Sequence, residues 1–192
     1  MDQRYRVLMV CTGNICRSPA AAAWMTALAD QSVDVASAGT AAVVGAPVQP
    51  SMAGLMQREG LRIEDFAARQ LTPGLIRQAD LVLGMTTGHR RWVVGRAPAA
   101  VRRTFTLIEF ARLAQLVDAN AGGAYAASGE TRGSSAHRLR GVVAAVPSVR
   151  GRLHLGRHHD DSIDVPDPYG RDEDAYELAF SLIRDAMRGI VG

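Results

Sequence analysis

The chain has 192 residues, 47% hydrophobic and 21% charged, and its 22 basic and 19 acidic side chains leave a formal charge of +3. That length supports one sizeable core and not two comfortable domains, and the near balance of charge argues against a histone-like or polybasic nucleic-acid binder. No apolar run approaches the roughly eighteen residues of a membrane span, and MDQRYRVLMV leads straight into a strand-like pattern instead of a cleavable leader, so neither membrane insertion nor secretion is expected.

Short apolar runs alternate with helical patterns, which predicts an α/β fold with helices covering a parallel sheet. The first strand is expected at Tyr5 to Val10. Ser18-Pro19 reads as a helix start, with a hydroxyl at the N-cap and Pro in the first turn, and the helix continues through Trp24 to about Ala29. A second strand is expected at Val33 to Ser37, a helix from Pro50 to Glu59 ending at Gly60, and a short helix opened by Thr72-Pro73. Leu81 to Met85 reads as a buried strand, His89 to Arg96 as a helix, Val101 to Leu107 as a strand, and the following residues to about Leu116 as a helix. From Ala119 to Asp161 the pattern dissolves into Gly, Ala, Ser and Arg, with one helix between Ser135 and Ala145 before Pro147. The chain is thus expected to be a single domain over residues 1–192 with an insertion or flexible loop at about 119–161. Asp172 to Ile190 predicts an amphipathic terminal helix with Ala175, Leu178, Ala179, Leu182, Ile183 and Ala186 on its buried face.

The chemistry concentrates in CTGNICRS, residues 11 to 18, where the first strand hands over to a helix. Such junctions hold anions, because backbone N–H groups and the helix N-terminus converge there. The residues between Cys11 and Arg17 are enough to wrap a tetrahedral oxyanion in inward-facing amides. Gly13 and Asn14 tolerate the backbone angles this requires. The same setting favours a thiolate, which makes Cys11 a candidate nucleophile, and Arg17 offers a planar fork for two phosphoryl oxygens. Ser18 can cap the helix and donate its hydroxyl to the sulfur. Thr12, Gly13, Asn14, Ile15, Cys16, Arg17 and Ser18 are therefore the expected phosphate-binding residues. With only Cys11 and Cys16, the chain has no disulfide framework and too few thiols for a structural zinc site, so a reducing cytoplasm is the expected compartment.

These residues resemble the low-molecular-weight protein tyrosine phosphatases, whose C-x5-R-[ST] loop follows the first strand. The resemblance extends to SAGT (Ser37 to Thr40), ARQL (Ala68 to Leu71), LVLGM ending at Met85 with His89 shortly after, and VPDPYG (Val165 to Gly170). It implies four parallel strands in the order 2-1-3-4, a cysteinyl-phosphate intermediate, no cofactor, and a general acid at Asp167, before Pro168, with Asp164 as the rival. One carboxyl group can protonate the leaving oxygen and then deprotonate water, and the flanking Pro166 and Pro168 stiffen the loop that presents it.

The resemblance also implies that Asn14 braces the loop with Ser37. A His usual three residues before the Arg-Gln pair is replaced by Phe66, so one brace of Asn14 is expected to be missing. Cys16 matches a loop cysteine that pairs reversibly with the nucleophile in relatives, or it is an apolar filler. Ile15, Val43, Val44 and Tyr169 are expected to wall an aryl ring. Relatives acting on phosphoarginine carry Thr where this chain has Ile15, which points to phosphotyrosine; AAVVG after SAGT resembles bacterial members paired with tyrosine kinases, which implies a phosphotyrosyl protein, such as a bacterial tyrosine-kinase tail, as partner.

Three other readings are weighed against this one. A phosphoarginine phosphatase keeps the loop; an arsenate reductase needs further cysteines that are absent after Cys16; a noncatalytic phosphotyrosine binder has no need of a nucleophile. His137, His154, His158 and His159, with Asp160 and Asp161, lie in an irregular setting that reads as a solvated loop and not a metal site. Between Thr131 and His159 there are six Arg and no acid, a charge of +6 that is read either as a docking element for an acidic partner or as a solvated loop.

Overall fold

The computed structural model describes residues 4–62, 65–120, 133–154 and 162–191. Strands β1 (Tyr5–Cys11), β2 (Val33–Gly39), β3 (Leu81–Gly84) and β4 (Thr104–Thr106) form a parallel sheet in the order β2-β1-β3-β4. Successive residues of a strand face opposite sides, and β1 divides accordingly. Tyr5, Val7, Met9 and Cys11 enter the larger core with Leu81 and Leu83, whereas Leu8 and Val10 join Val82 on the other side. Helices α1 (Arg17–Leu28), α2 (Pro50–Arg58), α5 (Leu107–Asn120) and the terminal α7 (Glu173–Val191) cover the larger core. The smaller one lies under α3 (Pro73–Gln78), α4 (Thr87–Arg96) and a 3-10 turn over Pro98–Arg103. Because all four strands run in one direction, the loops after β1, β2 and β3 gather at one edge of the sheet, where the site forms.

Three expectations are corrected. The strand expected at Val101 to Leu107 is confined to Thr104–Thr106. Its first half is wound into the 3-10 turn, held where Thr104 Oγ1 donates to the Ala100 carbonyl at 2.8 Å, and Val101 is left 42% exposed. In α7 the buried face is Tyr176, Ala179, Phe180, Ile183, Ala186, Met187 and Ile190, while Leu178 is 54% exposed. The two aromatics turn the helix: Phe180 packs against Trp24 of α1 with ring centroids 6.0 Å apart. Third, helix α6 (Ser135–Val149) runs through Pro147 instead of stopping before it. The missing N–H falls in the last turns, and burial of Val146 and Val149 on either side of Pro147 holds the helix together.

Helix α6 lies within the expected insertion, of which 121–132 and 155–161 fall outside the described residues. Its Ala136, Leu139, Val142, Val146 and Val149 are buried in the larger core. Its arginines do not all face outward. Arg138 forms a two-pronged pair with Asp118 of α5 at 3.0 and 2.9 Å and donates through Nε to the Ile190 carbonyl at 2.8 Å. Arg140 stacks over the Tyr5 ring, and Arg150 pairs with Glu109 at 3.0 Å. Three of the six arginines, Arg138 and Arg140 on α6 and Arg150 just past its end, thus tie this segment to α5, α7 and β1.

The start of α6 is fixed to the loop before β2. Asp30 accepts from Ser135 N at 2.7 Å while its own N–H donates to Ser135 Oγ at 3.1 Å, and Ser32 Oγ accepts from Ala136 N at 3.0 Å. Hydrogen bonds to the Asp30 carboxyl from the Ser32 hydroxyl, then from Ser135 N and Ser32 N, hold its pKa down at about 2. Because the folded state lowers this pKa from 3.8, the contribution is present above about pH 4 and is lost as pH falls toward 2. Asp30→Ala is expected to lower stability by about 1 kcal/mol at pH 7, read as a shift in the urea midpoint; no shift would show that α6 docks without this cap.

Candidate active site

The loop after β1 is shaped from outside. The carbonyls of Cys11, Thr12, Gly13 and Ile15 accept from the amides of Thr40, Ala41, Val43 and Gln49 at 2.8 to 3.0 Å. With those carbonyls turned outward, the loop amides turn inward, the arrangement that binds an oxyanion. Gly39 makes the approach possible: a Cβ there would stand 2.4 Å from the Thr12 carbonyl oxygen. Asn14 takes the left-handed conformation at φ 55° and is fully buried. Its Nδ2 donates to Ser18 Oγ and Ser37 Oγ, both at 2.9 Å, and its Oδ1 accepts from Arg69 N at 2.9 Å.

Asn14 therefore lacks no brace. The backbone of Arg69 occupies its acceptor, and Phe66 packs against the larger core instead. Ser18 is not the N-cap: α1 begins at Arg17, its cap position is Cys16, and no side chain caps it. The Ser18 hydroxyl faces the sulfur, at 2.9 Å from Cys11 Sγ, which also accepts from Asn14 N at 3.2 Å. An uncapped helix start leaves its amides to an anion.

Arg17 is buried at 3% exposure and reaches across the sheet. Its Nη1 donates to the Val165 carbonyl at 3.1 Å and its Nη2 to Asp167 Oδ2 at 2.6 Å, a contact between residues 150 positions apart. The segment bearing Asp167 is tied down at several points. Val165 N donates to the Met85 carbonyl at 2.8 Å, and Thr106 Oγ1 donates to the Ile163 carbonyl at 2.7 Å. Asp164, the rival acid, is occupied elsewhere, accepting from Thr87 N at 2.7 Å and Thr87 Oγ1 at 3.2 Å at the start of α4. Asp167 is half exposed above Arg17.

Of the expected ring walls, Ile15 and Val43 converge over Gly13, whose added Cβ would meet them at 3.3 and 3.8 Å. Val43, Val44 and Tyr169 are 51%, 70% and 63% exposed. Cys16 is buried beside Cys11 with both thiols free. Burial, and then the Cys11 sulfur and the Asp167 carboxylate, push its thiol up to about 12, so it stays protonated at neutral pH. Among the described residues no group of side chains is placed to hold a metal. Of the histidine-rich tract, His158, His159, Asp160 and Asp161 lie outside the described residues. Sequence reasoning missed the backbone contacts of Arg69 N with Asn14 and of the Val165 carbonyl with Arg17, which any residue type could make, and also the Arg69 Nε bond to the Ser37 carbonyl at 2.7 Å.

A loop of amides around a thiol, with a buried guanidinium and a carboxyl at its mouth, is the constellation of a cysteine-dependent phosphoryl-transfer enzyme. The family of low molecular weight phosphotyrosine protein phosphatases matches residues 6–127, and the chain belongs to it, which makes it a phosphoric monoester hydrolase. It is 28% identical over 183 residues to the low molecular weight protein-tyrosine-phosphatase Wzb of Salmonella typhimurium, covering 95% of this chain and 89% of that one. A protein-arginine-phosphatase of Geobacillus stearothermophilus is 40% identical over 106 residues, 55% of this chain and 71% of that one. Among solved structures, the low molecular weight protein tyrosine phosphatase of T. tengcongensis superposes with a TM-score of 0.65 at 26% identity, covering 97% of both chains. No helix of the described residues is long and apolar enough to cross a membrane.

One titratable side chain near the loop stands apart from these three. His89 is 7% exposed, and burial followed by the charge of Arg17 holds its pKa at about 4, with Asp167 and Asp164 opposing. The folded state thus disfavours protonation relative to the ordinary value of 6.5. The sign follows: its contribution to stability is complete above about pH 6.5 and is lost as pH falls toward 4. The urea midpoint of the protein is expected to decline from pH 6.5 to 4.5, and His89→Gln is expected to flatten that decline; equal slopes in both proteins would show that His89 does not cause it.

Proposed function

We propose that the chain hydrolyses phosphotyrosyl proteins through a cysteinyl-phosphate intermediate, with Cys11 as nucleophile, Arg17 as phosphoryl clamp and Asp167 as general acid and base. The observation that carries this reading is the convergence of Arg17 on Asp167 at 2.6 Å beside a loop whose sulfur already accepts hydrogen bonds. Cys11 Sγ attacks phosphorus, the loop amides and Arg17 hold the three non-bridging oxygens, and the P–O bond to the aryl group breaks as Asp167 protonates the leaving oxygen. Water then attacks the phosphocysteine, Asp167 takes its proton, and the sulfur leaves with the Ser18 hydroxyl donating to it. The products are tyrosine and orthophosphate. Arg17 keeps its second anchor on the Val165 carbonyl while an incoming dianion displaces Asp167 from Nη2.

Phosphotyrosine is favoured over phosphoarginine by the apolar walls. Ile15 and Val43 form an aliphatic face over Gly13, and Val44 and Tyr169, next to Val43 and Pro168 in the chain, are exposed apolar and aromatic side chains, a set that suits a phenyl ring better than a guanidinium. The arginine phosphatase among its relatives keeps the second reading open to one comparison, the rates on phosphotyrosyl and phosphoarginyl peptides of the same sequence.

Cys11→Ser is expected to lower turnover of an aryl phosphate by about 10³-fold or more while retaining phosphate binding, since the amide nest survives. Residual turnover near wild type would remove Cys11 as nucleophile. Asp167→Asn is expected to slow phenyl phosphate by roughly 10² to 10⁴-fold and nitrophenyl phosphate less, because nitrophenolate leaves with little protonation. Equal losses on both would remove the acid role.

A further inference from the structure

His89 is a buried base that the reaction above does not use. It sits in the first turn of α4, over the end of β3, where Gly84 clears its path: a Cβ on Gly84 would stand 3.1 Å from that of His89. The ring bridges two threonines. Nδ1 lies 2.9 Å from Thr86 Oγ1, and Nε2 lies 3.0 Å from Thr12 Oγ1 in the loop.

The neutral ring carries one proton for two nitrogens, so the two bonds run in the same sense along the chain. Thr86 Oγ1 caps α4 by accepting from His89 N at 3.2 Å, which fills one of its two lone pairs. A hydroxyl has one hydrogen to give, and giving it to Nδ1 satisfies both groups. In the tautomer that takes this hydrogen at Nδ1, the ring proton is on Nε2 and is donated to Thr12 Oγ1. A second ring proton would turn Nδ1 into a donor against the Thr86 hydrogen, and the buried position beside Arg17 disfavours that charge. Asp167 and Asp164 are the acidic groups whose field reaches the ring.

Thr12 follows Cys11 directly, and its carbonyl is fixed by Ala41 N at 3.0 Å. Its side chain is exposed at the mouth of the loop. Once one lone pair of its oxygen is filled by His89, its own hydrogen is free to point away from the ring. We propose that His89 is a positioning residue that, through Thr12 Oγ1, presents a hydroxyl donor to an oxygen of the substrate's phosphoryl group. The proposal rests on the phosphatase reading of the Cys11–Arg17 loop and adds to it a donor that comes from a side chain instead of the backbone. Thr86, His89 and Thr12 form one chain of donors running from the helix cap to the site, and the backbone on either side holds each member in place.

The test has two parts. Side-chain nitrogen NMR of the full chain at pH 7 is expected to show His89 protonated at Nε2 only; a proton on Nδ1 would overturn the proposal. In kinetics on an aryl phosphate, with inorganic phosphate as competitive inhibitor, Thr12→Val and His89→Leu are each expected to lower kcat/KM and to weaken phosphate binding about tenfold. The double variant is expected to be no worse than Thr12→Val, because His89 acts only through that hydroxyl. Thr12→Ser should recover most of what Thr12→Val loses. If His89→Leu does not fold, His89→Gln in the wild-type and Thr12→Val backgrounds closes the same cycle, its amide donor recovering activity only where the hydroxyl is present. Losses that multiply in the double variant mean that His89 only supports the fold and overturn the proposal. A wild-type chain inert toward aryl phosphates yet binding inorganic phosphate would instead overturn the phosphatase reading.

Discussion

The structure depends on one constraint: a loop that points its amides inward must find partners outside for its carbonyls. Thr40, Ala41, Val43 and Gln49 supply those partners, and all four follow β2. The parallel pairing of β1 with β2, in register from Tyr5 and Val33 to Cys11 and Gly39, brings the two loops side by side. Asn14 completes the arrangement. Its buried amide engages Ser18, Ser37 and the Arg69 backbone, so the loop, β2 and the segment before α3 are locked together through one side chain. Leaving these polar groups unpaired in the interior would cost roughly 1 to 3 kcal/mol each, so each pairing favours this loop shape.

The other half of the site is organised by a division of labour between two carboxylates three residues apart. Asp164 caps α4 through Thr87, and Val165 clips the chain to the end of β3, which leaves Asp167 over Arg17. The proline on each side of Asp167 limits the backbone on the approach to the site. The end of β1 therefore carries the sulfur, the start of α1 the guanidinium, and a loop tied to β3, β4 and α4 the carboxyl.

Helix α6 adds a layer that the catalytic chemistry does not require. It buries an apolar stripe against the larger core and anchors itself with Arg138 on Asp118, Arg150 on Glu109 and its N-terminus on Asp30. Asp30 and Ser32 precede β2 at the edge of the sheet away from the Cys11 loop, so this end of α6 is tied far from the site. Arginines that read as a basic surface in the sequence are in part the clamps of this helix.

The sequence alone determined what depends on local spacing. Alternating apolar runs defined the parallel sheet, Thr72-Pro73 marked the start of α3, and the stretch from Cys11 to Ser18, with Asp167 before Pro168, marked the candidate chemistry. These signals are legible because helix starts, strand periodicity and anion loops are set by residues close together in the chain. Tertiary structure decided what depends on contacts between distant residues. Which face of α7 is buried and which of Asp164 and Asp167 meets Arg17 are settled by groups far away in sequence. The bracing of Asn14 by a backbone amide of Arg69 leaves no trace in side-chain identity, and the charge of α6 gives no hint that Arg138 pairs with Asp118. Composition counts charges and hydroxyls; only the packed chain assigns each one a partner, because a hydrogen bond or ion pair is fixed by geometry to a few tenths of an ångström.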